Sequence, residues 1–300
     1  MKITVAMATY NGEKYLEQQL QSILNQTLKP TEIIVCDDVS TDGTLAILKK
    51  YKEQGLLSYV VNDRQLGLID NFKKVVSFAA DENFVALSDQ DDEWLPDKLE
   101  MSAALLEKTN NSKIPCMVYT DLMLIDQNDT ILNRSFRNEL GQDKYQHNLQ
   151  TLLFGNFVNG CTMLMNPCLK KLFANIPKNV RLNHDGWMAL AAFTFGKADG
   201  INLPLVSYRK HHNNASIAAD TKPRNRYRST MNQILDAVKG NHDFLSPQFE
   251  TVSRFYEYYE KEIPADKRQI FERFLNLKHK PYLFKKLAFG KIVRQFSLNK

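Results

Sequence analysis

Long apolar runs are missing from this chain of 300 residues. No stretch approaches the ~18 residues of a membrane-spanning helix. The apolar start, Ile3 to Ala8, follows a lone Lys2 and runs straight into Thr9, Tyr10 and Asn11, too short and wrongly flanked for a secretory signal. Cysteine is scarce: Cys36, Cys116, Cys161 and Cys168 form no CxxC pair and suit a reducing compartment as small core residues. Neither GxGxxG nor GxxxxGK(S/T) occurs, so a glycine-rich phosphate cradle is excluded. Repeats and low-complexity segments are absent as well. With 43% apolar and 24% charged residues, the chain buries a real core and is neither disordered nor fibrous. Cytosolic residence is expected, with one large domain or one domain and an appendage.

The net charge of +5 is unevenly placed. Between Lys278 and Lys300 stand seven Lys or Arg and no Asp or Glu, so the rest of the chain is slightly acidic. Nucleic-acid binding therefore gets little support from charge. The tail also holds Leu283, Phe284, Leu287, Phe289, Ile292 and Val293. That mixture suits a segment lying on an anionic membrane surface, peripheral to the inner face of the cell membrane. A terminal helix packed on the body with its charges in water is the competing reading, and Gly290 weakens a continuous amphipathic helix.

What is present, in the first hundred residues, is alternation of short apolar strands with helical patterns. Residues 3–8, 32–36, 58–61 and 84–87 read as strands. Leu16, Leu20, Ile23 and Leu24, then Leu45, Leu48 and Tyr51, then Phe72, Val75, Val76 and Ala79 mark helices between them. Ser40 to Gly43 is a capping signal, and Pro96 suits the first turn of a further helix through Leu99, Leu105 and Leu106. This βαβα pattern predicts a parallel sheet with helices on both faces. Beyond Ile114 the pattern is mixed, with strands over 116–120 and 161–165, a helix from Asp185 to Phe195, and an extended stretch from Leu203 to Tyr208. From about Arg226 it is helical, broken by Pro247, Pro264 and Pro281. The expected division is an α/β domain over 1–220 and a helical C-terminal extension over 221–300.

Ligands of an open parallel sheet bind beyond the carboxyl ends of its strands. Three strands here end in polar clusters: Thr9-Tyr10-Asn11, Asp37-Asp38, and Ser88-Asp89-Gln90-Asp91-Asp92. Asp37-Asp38 can begin a turn and Asp89 to Asp92 can cap a helix. Yet carboxylates crowded at a strand end repel one another unless a cation compensates, and Mg²⁺ or Mn²⁺ would bridge them to phosphate oxygens.

The segments ATYNGEKYLEQQLQSILNQT, IIVCDDVSTDGT and ALSDQDDEWLPDKL resemble the family-2 glycosyltransferases of the GT-A fold, and among these the bacterial rhamnosyltransferase-type members. The resemblance extends to about residue 215. It implies a GT-A central, mostly parallel sheet flanked by helices. It also implies that Thr9, Tyr10, Asn11 and Asp38 hold the nucleotide, with Asp89 towards the ribose. Asp91 within Asp89-Gln90-Asp91 matches the metal ligand, Asp92 supports it, and Asp185 in Asn183-His184-Asp185-Gly186-Trp187 matches the catalytic base. An N-cap role for Asp185 is compatible with that. In Tyr208-Arg209-Lys210-His211-His212-Asn213-Asn214, His211 stands at the histidine that can complete the metal shell, although His212 leaves the register open. Gly160, Cys161, Thr162, Trp187 and Arg209 are assigned to the donor-sugar and acceptor side, with Cys161 read as packing. Arg224 and Arg226 are further candidates for phosphate, and Asn213 to Arg224 is expected to close over bound donor. Val39 departs from the glycine that commonly follows the paired acids.

The function expected from the resemblance is inverting, metal-dependent transfer of a sugar, dTDP-L-rhamnose being the donor first in line. The acceptor is a glycan or lipid-linked glycan of a cell-surface polysaccharide. A UDP-hexose donor, a non-catalytic sugar-nucleotide binding module, and a glycoside hydrolase built on paired carboxylates are the alternatives.

Overall fold

The computed structural model describes residues 1–178, 180–211 and 245–298. Four parallel strands form the first half of the sheet: β1 (Ile3–Thr9), β2 (Glu32–Asp37), β3 (Ser58–Val61) and β4 (Phe84–Ser88), in spatial order β3-β2-β1-β4. Helices α1 (Leu16–Leu24), α2 (Thr44–Glu53) and α3 (Leu68–Ser77) connect them, and α4 (Lys98–Thr109) follows. Every residue of β1 is buried, because a central parallel strand is covered on both faces. The edge strand β3 leaves Val60 and Val61 exposed.

Strand residues divide by parity between two cores. Ala6, Ala8, Ile34 and Cys36 join the core that contains α3, whereas Val5, Met7, Ile33 and Val35 join the one that contains α1, α2 and α4. The helices fit this division. Leu16, Leu20 and Ile23 of α1 lie one turn apart and are all buried, each worth roughly 1.5–3 kcal/mol relative to exposure.

The second half of the sheet is mixed rather than parallel. Strand β5 (Glu93–Trp94) pairs antiparallel with β9 (Lys197–Arg209), and β9 runs parallel to β6 (Cys116–Ile125). Strand β7 (Ile131–Asn133) pairs back on β6. The short β8 (Met163–Met165) lies antiparallel to both β4 and β6 and thereby joins the two halves. The expected strand over 161–165 is thus shorter, since Gly160–Thr162 forms a 3-10 turn. Pro96 precedes α4 by two residues instead of sitting in its first turn, because Leu95 is held by the amide-to-carbonyl bond to Leu205. Short helices α5 (Phe136–Leu140), α6 (Leu149–Phe154) and α7 (Pro167–Lys171) fill the region where the sequence pattern was mixed.

Helix α8 (Asn183–Phe195) runs through the core as expected, with Trp187, Met188 and Ala189 fully buried. Of the C-terminal region the structure describes α9 (Ser246–Tyr259), α10 (Ala265–Leu275) and α11 (Tyr282–Gln295). Pro247, Pro264 and Pro281 begin these helices, where a missing N–H costs nothing. Phe249, Val252, Phe255 and Phe271 pack into the same cluster as Trp187 and Phe157, so these helices share the core of the sheet. The residue 220/221 boundary, the closing segment Asn213 to Arg224, His212, Arg224 and Arg226 all lie outside the described residues.

Val39 has φ +68°, in the left-handed region that glycine enters freely and a β-branched residue enters at a cost. Asp37 enforces the turn: it accepts from Ser40 N at 2.8 Å, Ser40 Oγ at 2.6 Å and Thr9 Oγ1 at 2.8 Å. Val39→Gly should therefore stabilise the protein. The gain should be up to about 1 kcal/mol, since relief of the left-handed strain exceeds the extra unfolded-state entropy of glycine. A urea unfolding midpoint that falls in the variant would contradict this account of the turn.

Candidate active site

A cavity of about 380 Å³ opens beyond the carboxyl ends of β1, β2 and β4. Thr9, Tyr10, Asp38, Asp89, Asp91 and Asp185 all line it, as do Gly160 and Cys161. Residues separated by more than 170 positions in the chain thus meet in one place.

The β1 end is built around Tyr10, a residue 46% exposed. Gln90 grips its backbone twice: Oε1 accepts from Tyr10 N at 2.8 Å, and Nε2 donates to Tyr10 O at 2.9 Å. A side chain at Gly12 would strike this Gln90 amide. Asn11 lies outside the cavity lining. Its amide donates to Ser40 Oγ at 2.8 Å and its Oδ1 accepts from Thr41 N at 2.8 Å, so it ties the β1 and β2 loops together. Asp38 is buried and accepts from Asn62 Nδ2 at 2.8 Å, Leu66 N at 2.7 Å and Gly67 N at 2.9 Å. A carboxylate has about four acceptor positions, so one remains for a ligand donor.

Three carboxylates at the β4 end define the electrostatics. Burial, then the neighbouring Asp91 and Asp185, push Asp89 up to about 7. Burial, then Asp91 and Asp89, push Asp92 well above the usual carboxylate range. Asp92 is fully buried, outside the cavity lining, and accepts from Arg209 N at 3.2 Å. Beside it lie the Cys161 thiol, pushed well up by burial and Asp92, and Lys98, which burial lowers to about 7. The Lys98 ammonium stands 3.4 Å above the Trp94 ring and has no hydrogen-bond partner among the described residues. The inert reading of Cys161 fits this setting.

Two groupings can be considered for a cation. Asp89, Asp92 and Cys161 bring ligand atoms within 4.8 Å of one another. A protonated thiol is a poor partner for Mg²⁺ or Mn²⁺, which prefer oxygen. On the cavity side, Asp91 Oδ2 lies 2.8 Å from His211 Nε2, and His211 stacks on Tyr15 with ring centroids 5.4 Å apart. Asp91 and His211 are the better donor pair for a hard cation, with Asp89 lining the same cavity. The mutual repulsion raising Asp89 is what a positive charge there would relieve.

Asp185 sits in the first turn of α8. It accepts from Gly186 N at 2.8 Å and from the Gly160 amide, and both hold its carboxyl down; burial outweighs them and drives it up to about 7. Beside it, His184 is buried against Phe72 and Phe173, and neither of its ring nitrogens has a hydrogen-bond partner among the described residues. A side chain on Gly160 would come within 2.5 Å of His184 Nε2, so only glycine fits there.

Three residues assigned to the donor and acceptor side lie elsewhere. Trp187 is fully buried against Phe255 and Tyr259, in the core, because α8 turns that face away from the cavity. Thr162 is buried and donates to Asn159 O at 2.7 Å. Arg209 is buried too, and its guanidinium pairs with Asp129 and donates to Asp91 O at 2.9 Å and Gln18 Oε1 at 3.0 Å. It is a scaffold cation behind the acidic cluster. Gln90, His184, Gln65 and Tyr208 line the cavity without having stood out in the sequence. Their roles depend on strand adjacency, which a single sequence does not display.

With strand-end carboxylates over a half-parallel sheet, the chain has the α/β GT-A architecture: a central, mostly parallel sheet flanked by helices, with further helices at the C-terminal side. It belongs to Glycosyl transferase family 2, whose description matches residues 4–173. Among relatives, it is similar to the dTDP-rhamnosyl transferase RfbG of Shigella flexneri, 30% identical over 260 residues that cover 77% of this chain and 84% of that protein. In fold it resembles S. aureus TarS 1-349, solved in complex with UDP-GlcNAc, with a TM-score of 0.60 at 17% identity over 98% of this chain and 89% of that one. It resembles the mannosyltransferase PcManGT from Pyrobaculum calidifontis, solved in complex with GDP-Man and Mn²⁺, with a TM-score of 0.58 at 15% identity over 98% of this chain and 74% of that one.

The three bonds to Asp38 make it a poor probe of nucleotide binding. Asp38→Ala should destabilise the protein by about 2–4 kcal/mol, because buried donors from Asn62, Leu66 and Gly67 lose their acceptor. Chemical denaturation checks this, and an unchanged midpoint would mean that the loop does not depend on the carboxylate.

Proposed function

We propose that the protein is an inverting glycosyltransferase that moves a sugar from a nucleotide diphosphate onto a hydroxyl of a glycan or lipid-linked glycan acceptor. The observation that carries this reading is a single cavity lined by an exposed aromatic ring at Tyr10, the paired acids Asp89 and Asp91, and a separate carboxylate, Asp185. Tyr10 stacks on the nucleobase, Asp38 accepts from its N–H, and Asp89 faces the ribose. Asp185, held by the Gly186 and Gly160 amides, takes the proton from the acceptor hydroxyl as that oxygen attacks the anomeric carbon. One displacement inverts the configuration. Asp91 and His211 would hold a divalent cation, which would supply charge neutralisation of the diphosphate and Lewis-acid stabilisation of the leaving group. Our first choice of donor is dTDP-L-rhamnose, supported by the name of RfbG. A UDP-sugar, as in the TarS complex, is the second, since neither Tyr10 nor Asp38 distinguishes thymine from uracil.

Asp185→Asn should retain donor binding and lower turnover by ~10²–10⁴, the usual worth of a positioned general base. In the wild type, transfer should rise through about pH 7 as this carboxyl ionises. Stability supplies an independent readout. A carboxyl raised from 3.8 to about 7 contributes stability below the lower value and loses it as pH climbs through the upper one. The asparagine variant should therefore gain stability over wild type as pH rises from 3.8 through about 7, by about 4 kcal/mol at most, and keep that gain at higher pH. Near-normal transfer by a folded Asp185→Asn protein would remove Asp185 from the chemistry.

Calorimetry with nucleotide sugars and Mn²⁺ tests the cation. Asp91→Ala should abolish the Mn²⁺-dependent part of donor binding, and excess chelator should stop wild-type transfer. Full activity in chelator would exclude a metal at Asp91.

A further inference from the structure

Helix α11 is oriented against expectation for a surface helix. Such a helix turns its apolar stripe to the core and its charges to water. Here Lys285 is buried, its ammonium 5.0 Å from the centre of the Phe249 ring, and Phe289 stacks on Phe154 at 5.6 Å. Leu283, Phe284 and Leu287 instead point outward, 61%, 58% and 56% exposed. At 100° per residue these three fall with Lys291 and Arg294 within one arc of about 100°. Lys280 and Lys286 flank the arc and are exposed, and residues 278–300 contain no acid to offset them.

The helix is also fixed in this orientation. Beyond its end, Gln146 N donates to Phe296 O at 2.8 Å, Leu298 N donates to Lys144 O at 3.0 Å, and Tyr145 forms a β-bridge with Ser297. The face is therefore displayed by a docked helix and costs no ordering when it is covered.

We propose that the outer face of α11 seats the protein on an anionic bilayer, with Leu283, Phe284 and Leu287 entering the headgroup boundary and Lys280, Lys286, Lys291 and Arg294 meeting acidic lipid. Charge selects this occupant over a second copy of the chain, because two such faces would bring their cations together. The apolar triad is too small to hold the protein to a neutral bilayer unaided, so attachment is reversible and depends on both components. Among the described residues no helix is long and apolar enough to cross a membrane. The inference is independent of the donor and of the catalytic assignment.

The test is sedimentation of the full chain with vesicles of phosphatidylcholine alone or with 30 mol% phosphatidylglycerol, at low and high salt. Wild type should pellet with the anionic vesicles at low salt, be released at high salt, and ignore the neutral ones. Lys280→Ala/Lys286→Ala/Lys291→Ala should weaken partitioning by about a hundredfold, at the customary worth of each surface cation. Leu283→Gln/Phe284→Gln/Leu287→Gln should weaken it comparably while unfolding normally, because these side chains are exposed. Phe284→Trp should show a blue-shifted emission with anionic vesicles only. Equal pelleting of wild type and both triple variants, absence of pelleting at low salt, or vesicle-free self-association abolished by the glutamine triple would overturn the proposal. The last result would assign the face to a second copy.

Discussion

Mutual repulsion among carboxylates at one end of a sheet is the constraint around which this structure is arranged. Asp89, Asp91 and Asp92 follow one strand and Asp185 approaches from a helix 90 residues away. Burial disfavours ionisation of Asp89, Asp92 and Asp185, neighbouring carboxylates add to it at Asp89 and Asp92, and fixed cations stand behind the cavity. The Arg209 guanidinium donates from the back to the Asp91 carbonyl, its backbone N–H donates to Asp92, and Lys98 lies beneath with Cys161. These cations are buried and cannot follow a ligand, so they support the cluster without closing it. The remaining imbalance faces the cavity, where a mobile cation and a diphosphate would complete the charge.

The parallel half of the fold was legible because each of its elements carries a complete local signal. Strand β1 is a short apolar run covered on both faces, and α1 repeats its apolar residues every turn. The mixed half was not. Strand β5 has two residues, too few for any period, and β8 has three beside a 3-10 turn. Strand β5 exists through its pairing with β9 and β8 through its pairing with β6, partners that lie far from them in the chain. Helix α8 shows the limit from the other side: it is buried all round, so its sequence gives a helix but not the direction of Trp187.

Acidic site residues were legible for a similar reason, since strand-end Asp pairs are conspicuous in their own segments. The residues that hold them were hidden. Nothing near Gln90 announces that its amide will pair with a backbone 80 positions earlier, and His184 looks like any histidine until its two nitrogens prove to lack partners. Arg209 was expected on the donor-sugar and acceptor side because an arginine in a motif is usually read by its charge. Its enclosure by Asp129 and Gln18 is a property of the folded chain alone.

The pair of hydrogen bonds between the Gln90 amide and the Tyr10 backbone makes the site a measuring device. One planar amide fixes the separation between the aromatic ring and the two acids that flank Gln90 itself, so neither can drift without the other. On the proposed reading, that separation is the length of a nucleoside as seen by the protein, from base to diphosphate. A shorter amide, such as asparagine, would not span it, and a Cβ on Gly12 would push the Gln90 amide out of it. On that reading the middle position of the acidic motif is a spacer of set length.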